Sequence, residues 1–232
     1  VAITSMMLIG PVWIEPLFNK YTPLPQGEVR EALEVLAKQA NIQPDRIFVY
    51  DGSRQSNRFT ANVSGLGSSA RIAISDVALT SASLDEVKAV TGHEIGHYVS
   101  GHIWNLIGTA VLMSMIFFYL SNAMFMKVAT LMGAKASIAE PRGVAVLLVC
   151  ISFLSLLAQP VTNYVVRLGE TEADQYSYKA VNLPDAMASA LVKTAEYRDP
   201  RPHPLQELIF YTHPSVEKRV KAAMEWKAQH TN

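Results

Sequence analysis

Two histidines and a glutamate in the segment His93-Glu94-Ile95-Gly96-His97 form the most chemically informative pattern in the sequence. On an α-helix, residues four apart lie on one face, one turn apart, so the two imidazoles converge. That geometry suits two ligands of a tetrahedral Zn²⁺, and Glu94 suits a general base that accepts a proton from water. A catalytic zinc site needs a third protein ligand and one open position. The third ligand must therefore come from another part of the sequence.

The segment Glu170-Thr171-Glu172-Ala173-Asp174 is the candidate source of the third ligand. Glu170 and Asp174 are spaced to share a helical face. We expect Glu170 to bind the metal and Asp174 to orient a ligating histidine and fix its tautomer. Glu172 points about 200° away from Glu170 on a helix, so we expect a surface carboxylate that does not bind metal.

His102 offers a competing ligand, since some zinc proteases use a third histidine shortly after the second. In the metzincin type that histidine follows six residues after the second, whereas His102 follows His97 by five. On a continuous helix this interval rotates His102 off the ligand face. We therefore predict that His102 lies outside the ligand set.

The residues around the motif have the sequence pattern of a well-formed helix. Ser83-Leu84-Asp85-Glu86 predicts a capping box, and apolar residues at helical spacing lead from it to His93. A chance His-Glu-x-x-His match is expected in roughly one chain of this length in a hundred, without such a helix around it. The pattern therefore favours a catalytic metal site.

Charge is balanced and unevenly distributed. Lys+Arg and Asp+Glu both number 20, which argues against a nucleic-acid partner. From Ile103 to Met126 and from Gly143 to Val166 there is no charged residue. Each run makes about 36 Å of helix, enough to cross a lipid bilayer with some tilt. We predict two transmembrane helices that form a hairpin between the metal motifs.

The apolar N-terminal stretch, residues 1–9, lacks the charged start of a signal peptide. We interpret it as the end of a preceding membrane helix in a larger multi-pass protein. The remaining chain divides into a first half of a catalytic domain (residues 10–102), the hairpin (103–166) and a second half of the catalytic domain (167–232).

The sequence of the first half of the catalytic domain predicts a small sheet. Three short runs are rich in β-branched or alternating residues and are separated by turn signals: Arg46 to Tyr50, Phe59 to Ser64 and Ala70 to Ser75. They follow an irregular proline-rich connector over residues 10–26 and an amphipathic helix over residues 27–41. We expect an α+β, mainly helical fold with a small antiparallel sheet.

His213 begins the last helical segment and has two readings. A cationic histidine near the metal could stabilise the oxyanion of a tetrahedral intermediate, or the side chain could cap its own helix. The residues alone leave these alternatives open.

Taken in order, these motifs resemble the membrane zinc endopeptidase family that includes the type I CAAX prenyl protease and the bacterial heat-shock membrane protease. The resemblance implies a thermolysin-like (zincin-like, gluzincin) fold with Glu170 as third ligand, His213 as a transition-state residue and Arg219 as a supporting residue. The matching segments are Pro16 to Lys20, Asp51 to Arg54, Arg71-Ile72, His93 to His97, Arg167 with Glu170 to Asp174, and His213-Pro214 with Arg219.

One position departs from the family pattern. The family has an Asn-Ala pair five residues before a strand glycine, and its asparagine helps to hold substrate. Counting back from Gly65, this chain has Thr60-Ala61, with Asn62 one residue later. Thr60 and Asn62 share a face of the strand, so either could hold the substrate.

These observations predict an integral-membrane zinc endopeptidase whose substrate is a polypeptide, including a membrane protein or a lipid-modified peptide. The resemblance implies a bacterial inner membrane with the metal on the cytoplasmic side, whereas the positive loop between the spans favours the opposite orientation. Two alternatives are a non-enzymatic membrane scaffold and a site-two-type intramembrane protease. The second lacks its Leu-Asp-Gly motif here.

Overall fold

The computed structural model describes residues 14–195 and 199–230. The predicted end of a preceding membrane helix, residues 1–9, lies outside the described residues. The strands are β1 (Tyr21–Pro23), β2 (Ile47–Tyr50), β3 (Ala61–Ser64) and β4 (Arg71–Ser75). The α-helices are α1 (Glu15–Phe18), α2 (Glu28–Gln39), α3 (Asp76–Ser81), α4 (Leu84–Val99), α5 (His102–Leu131), α6 (Val144–Val181), α7 (Pro184–Lys193), α8 (Pro204–Phe210) and α9 (Val216–His230).

The sheet is mixed, so the prediction of an antiparallel sheet was wrong. Its strand order is β1-β2-β4-β3. Strands β3 and β4 form an antiparallel pair, but β2 lies parallel to β4, with Ile47 opposite Ile72. The connection from β2 to β3 is longer than a hairpin turn, so these two strands need not pair, and β3 lies beyond β4 at the edge of the sheet. Alternation within each strand cannot show this order.

The connector over residues 10–26 was predicted to be irregular, yet it contains helix α1 and strand β1. Strand β1 pairs antiparallel with β2, with Tyr21 opposite Tyr50. Pro23 ends this strand at the edge of the sheet, where a residue without an N–H is tolerated. The prolines that predicted a loop are therefore compatible with an edge strand.

The predicted capping box at the start of α4 is confirmed. Ser83 Oγ accepts from the Glu86 amide, and the Glu86 carboxylate accepts from the Ser83 amide at 2.8 Å. The same carboxylate accepts from Ser189 and Lys193 of α7. Burial acts to raise the pKa of Glu86, but the Lys193 ammonium and the Ser189 hydroxyl lower it to about 2. An ionised Glu86 therefore ties α4 to α7.

Helices α5 and α6 form the predicted hairpin and expose apolar side chains along their length, among them Phe118, Tyr119 and Leu157. Both are long and apolar enough to cross a membrane. Helix α6 has 38 residues, or about 57 Å, which exceeds a hydrocarbon core of about 30 Å. The predicted domain boundary between residues 166 and 167 falls inside this helix. The second span and the segment carrying Glu170 are therefore one continuous helix.

Small residues allow α4 and α6 to cross at close range. A Cβ added to Gly96 would lie 2.9 Å from the Ala173 Cα, and one added to Gly92 would lie 2.7 Å from a Val181 methyl carbon. At the same crossing, Ser177 Oγ donates to the Ala89 carbonyl oxygen at 2.7 Å. This contact brings the histidine helix against the helix that carries Glu170.

We expect Gly96→Ala to destabilise the protein by about 1–3 kcal/mol, because the new methyl group must push the α6 backbone away. The same displacement moves Glu170 away from the histidines and should lower the metal content. The matched control is Gly108→Ala on α5, where an added Cβ meets nothing within 4 Å. Thermal unfolding and metal analysis of both variants in detergent test the expectation. Equal behaviour of the two variants would contradict it.

Candidate metal centre

Three side chains converge where α4 crosses α6. The Nε2 atoms of His93 and His97 lie 3.1 Å apart. The two carboxylate oxygens of Glu170 lie 3.4 Å from these nitrogens, one from each ring. The three groups could hold a metal ion, since one ligand atom from each lies within 4.8 Å of the others.

The hydrogen bonding of Glu170 provides a test of whether a cation fits. Its Oε2 atom is buried and has no hydrogen-bond partner among the described residues. His93 Nε2 lies 3.4 Å from this oxygen without forming a hydrogen bond, and Arg219 Nη1 lies 3.8 Å away, too far for one. A buried carboxylate oxygen without a partner is costly unless a cation satisfies it. The residues therefore fit a metal ion.

His93 is held by a buried ion pair on its other side. Its Nδ1 lies 2.9 Å from Asp174 Oδ1. Arg219, from α9, donates to both carboxylate oxygens of Asp174, at 2.6 and 2.8 Å. Burial acts to lower the pKa of His93, but the neighbouring Asp174 and Glu170 carboxylates outweigh it and raise the pKa to about 9. A metal therefore competes with a proton for this ring.

Glu94 lies beside the ligands but outside their cluster. It lines a cavity of about 470 Å³ together with His93, Glu170 and His213. Burial raises the pKa of Glu94, while the neighbouring His93 and His97 rings act to lower it. A carboxylate with a raised pKa, facing a cavity next to a metal site, can accept and return a proton.

His213 reaches the same cavity from the loop before α9. Its Nε2 lies 3.2 Å from Glu170 Oε1, and its Nδ1 lies 2.9 Å from Thr212 Oγ1. Ser215 occupies the helix-capping position instead, since its Oγ accepts from the Lys218 amide and its carbonyl accepts from the Arg219 amide. The alternative in which His213 caps its own helix is therefore wrong.

Two polar residues near the end of the apolar run of α6 hold the segment that leads to His213. Arg167 Nη1 donates to the carbonyl oxygens of Glu207 and Tyr211, and Asn163 donates to that of Ile209 at 2.7 Å. Sequence reasoning gave neither residue a role. The signal available was the polarity of both side chains beside a membrane span.

The substrate-binding candidates differ in position. Thr60 and Ala61 line the cavity, and the Thr60 hydroxyl is hydrogen-bonded to the Tyr50 hydroxyl. Asn62 is not among the residues that line the cavity, and its Oδ1 is buried without a hydrogen-bond partner among the described residues. Thr60, rather than Asn62, is therefore placed to meet a molecule in the cavity.

His102 lies against the candidate metal centre, although it is not among the three residues whose ligand atoms converge there. Its Nδ1 is 2.8 Å from His97 Nδ1, and its Nε2 is 2.9 Å from a carboxylate oxygen of Glu172. The predicted position of His102 depended on a continuous helix here. Instead, α4 ends at Val99, and Gly101 adopts a left-handed conformation with a φ of 65° before α5 begins. This turn returns His102 to His97, and the Ser-Gly pair was the available signal.

Comparison with known proteins identifies relatives over nearly the whole chain. The model of Peptidase family M48 matches residues 23–227. CAAX prenyl protease 1 of Saccharomyces cerevisiae is 31% identical over 236 residues, which cover 93% of this chain and 52% of that protein. The uncharacterized metalloprotease YhfN of Bacillus subtilis is 29% identical, covering 94% of this chain and 52% of that protein.

A solved structure shares the fold. The crystal structure of S. mikatae Ste24p matches with a TM-score of 0.80 and 29% sequence identity, over 96% of this chain and 56% of that chain. This chain spans about half the length of the relatives it matches. The resemblance predicted from the motifs is confirmed, and the chain belongs to Peptidase family M48.

Proposed function

We propose that this protein is a zinc-dependent endopeptidase of the membrane. The observation that carries the proposal is the convergence of His93, His97 and Glu170 beside the cavity that Glu94 lines. Membership of a metalloprotease family and two helices able to cross a membrane support it. The proposal includes a zincin-like arrangement of the catalytic domain, with the ligand helix α4 beside the sheet.

The spacing of the ligand atoms supports zinc. Bonds of about 2.0–2.1 Å at a tetrahedral ion separate neighbouring ligand atoms by about 3.3–3.4 Å. The two Nε2 atoms lie 3.1 Å apart, and each of them lies 3.4 Å from a different oxygen of Glu170, so each ring is near this spacing from one carboxylate oxygen. Two histidines and a glutamate also match the ligand set of catalytic zinc sites, which keep a fourth position open.

In this mechanism Glu94 moves the proton. Bound zinc would supply Lewis-acid polarisation of the scissile carbonyl and would lower the pKa of the attacking water. Glu94 accepts the proton from that water and later donates it to the leaving amine. Burial raises the pKa of Glu94, which makes the carboxylate a stronger base and favours the first of these two steps.

His213 would stabilise the charge that develops on the carbonyl oxygen. Its Nε2 faces the cavity 3.2 Å from a Glu170 oxygen, so a small movement directs it to a group bound at the metal. Asp174 and Arg219 would orient His93, with the carboxylate accepting from Nδ1. A hydrogen bond that forms only with the oxyanion accelerates the reaction without tightening substrate binding.

The substrate would be an extended polypeptide. Strand β3 lies at the edge of the sheet, and the start of the strand, Thr60-Ala61, lines the cavity. An edge strand can bind a peptide through main-chain hydrogen bonds with little sequence selectivity. Several relatives are named CAAX prenyl protease, which supports a membrane protein or a lipid-modified peptide as substrate. We place the protein in a bacterial membrane with its metal site on the cytoplasmic side, as the family resemblance implies.

Glu170→Gln should sharply reduce zinc affinity, because an amide oxygen carries no charge to offset the cation. The matched control is Glu225→Gln, an exposed carboxylate on α9 that pairs with Lys221. Zinc content after dialysis against a weak chelator measures the difference. Full zinc occupancy in Glu170→Gln would remove this residue from the ligand set.

Glu94→Gln should abolish peptide hydrolysis while zinc stays bound, since the base is lost and the three ligands remain. The expected loss in kcat is at least about 10²-fold, the usual scale for a positioned general base. Turnover of an unfolded polypeptide by membranes or purified protein provides the assay, and Asp85→Asn on the same helix is the control. Normal turnover by Glu94→Gln would refute the proposed mechanism. Absence of turnover in the wild type, despite bound zinc, would instead favour a scaffold.

His213→Ala should keep zinc and the fold but lower kcat by roughly 10²-fold, with little change in KM, because the oxyanion exists only in the transition state. Thr212→Ala tests the support of the ring, which its hydroxyl contacts at 2.9 Å, and should lower kcat less. Single-turnover rates and melting temperatures on the same preparations make the measurement. A destabilised but fully active His213→Ala enzyme would assign the residue a structural role.

A further inference from the structure

We propose that His102 and Glu172 are positioning residues that fix the tautomer and orientation of His97, the second metal ligand. The inference rests on the proposed zinc site. It gives a role to two residues that lie outside the proposed ligand set. The observation that carries it is a chain of two hydrogen bonds that runs from His97 to the protein surface.

The chain is short and well aligned. His97 Nδ1 and His102 Nδ1 lie 2.8 Å apart, and His102 Nε2 lies 2.9 Å from Glu172 Oε2. The two rings meet at 76° with centroids 4.9 Å apart, so an edge of each faces the other. His97 Nε2, on the opposite edge, faces Glu170 and His93. Each nitrogen of the two rings therefore faces either a hydrogen-bond partner or the candidate metal site.

Proton counting leaves one arrangement when His97 binds metal through Nε2. Its Nδ1 then carries the proton and must donate, so His102 Nδ1 must accept. A histidine that accepts at Nδ1 carries its proton on Nε2, and that proton is donated to the Glu172 carboxylate. Glu172 thus fixes the tautomer of His102, and His102 fixes the tautomer of His97.

Packing holds the intermediate ring in place. His102 is 6% exposed, and a Cβ added to Gly169 would lie 3.3 Å from its ring. The ring therefore lies against the backbone of α6. Glu172 is different, since its side chain is 62% exposed. We expect the larger contribution from His102 and a smaller one from Glu172, whose interaction is screened by water.

The two histidine ligands are thus supported differently. His93 donates to Asp174, a carboxylate that Arg219 neutralises. His97 donates to a second histidine, a neutral acceptor that connects α4 to the first residue of α5. Partners of this kind raise the basicity of the ligand and restrict its rotation, and their loss lowers metal affinity about 10–100-fold.

The test measures zinc dissociation constants of the full chain in detergent by competition with a chromogenic chelator. His102→Leu removes the acceptor and should weaken zinc binding by about 10–100-fold. His102→Asn returns an acceptor oxygen near the position of Nδ1 and should recover most of that loss. Glu172→Leu should weaken binding by a smaller factor. Gln175→Leu, an exposed position on the same helix, is the control and should leave binding unchanged.

The d–d absorption spectrum of the Co²⁺-substituted protein is the second readout, since it reports ligand geometry independently of activity. His102→Leu should change it, and His102→Asn should restore it. Unchanged affinity and spectrum in His102→Leu, with wild-type zinc binding intact, would overturn this inference alone. Failure of the wild type to bind zinc would overturn the proposed function. If His102→Leu does not fold, His102→Asn and Glu172→Leu decide, and wild-type affinity and an unchanged Co²⁺ spectrum in Glu172→Leu would overturn the inference.

Discussion

The close crossing of α4 and α6 is the contact on which the rest of the molecule depends. Two glycines, Gly92 and Gly96, leave no side chain between the helices, and the Ala173 backbone fills the space. The ligand atoms of a metal must lie within a few ångströms of one another. The axes of packed helices are usually about 8–10 Å apart, and the side chains at the contact decide the distance. Small residues at the crossing set the distance. The residues of the metal centre lie on the flanks of this one contact.

Helix α6 is the common support for the other parts of the site. It carries Glu170 and Asp174, and through Asp174 it receives Arg219 from α9. Near its membrane end, Asn163 and Arg167 bind carbonyl groups of the segment that leads to His213. Residues on both sides of the cavity are therefore anchored to the same helix. This arrangement reduces the number of independent movements that could separate the candidate ligands from the other residues that line the cavity.

Local and periodic features could be predicted from the sequence, because spacing alone determines them. The helix that carries His93 and His97, its capping box and the two apolar spans follow from residues within a few turns of one another. The parallel pairing of β2 with β4 could not be predicted, since it depends on which distant strands meet. The contact of His102 with His97 was missed because one left-handed glycine, Gly101, redirects the chain. Errors occurred where tertiary contacts or single backbone angles decide the structure.

The continuity of α6 also bears on when the protein can become active during its synthesis. His93 and His97 precede the hairpin, whereas Glu170 follows the second span without a break in the helix. The candidate site therefore lacks Glu170 until the ribosome has passed both spans. A chain that stops before the end of the second span carries the two histidines without the carboxylate that lies 3.4 Å from each of them.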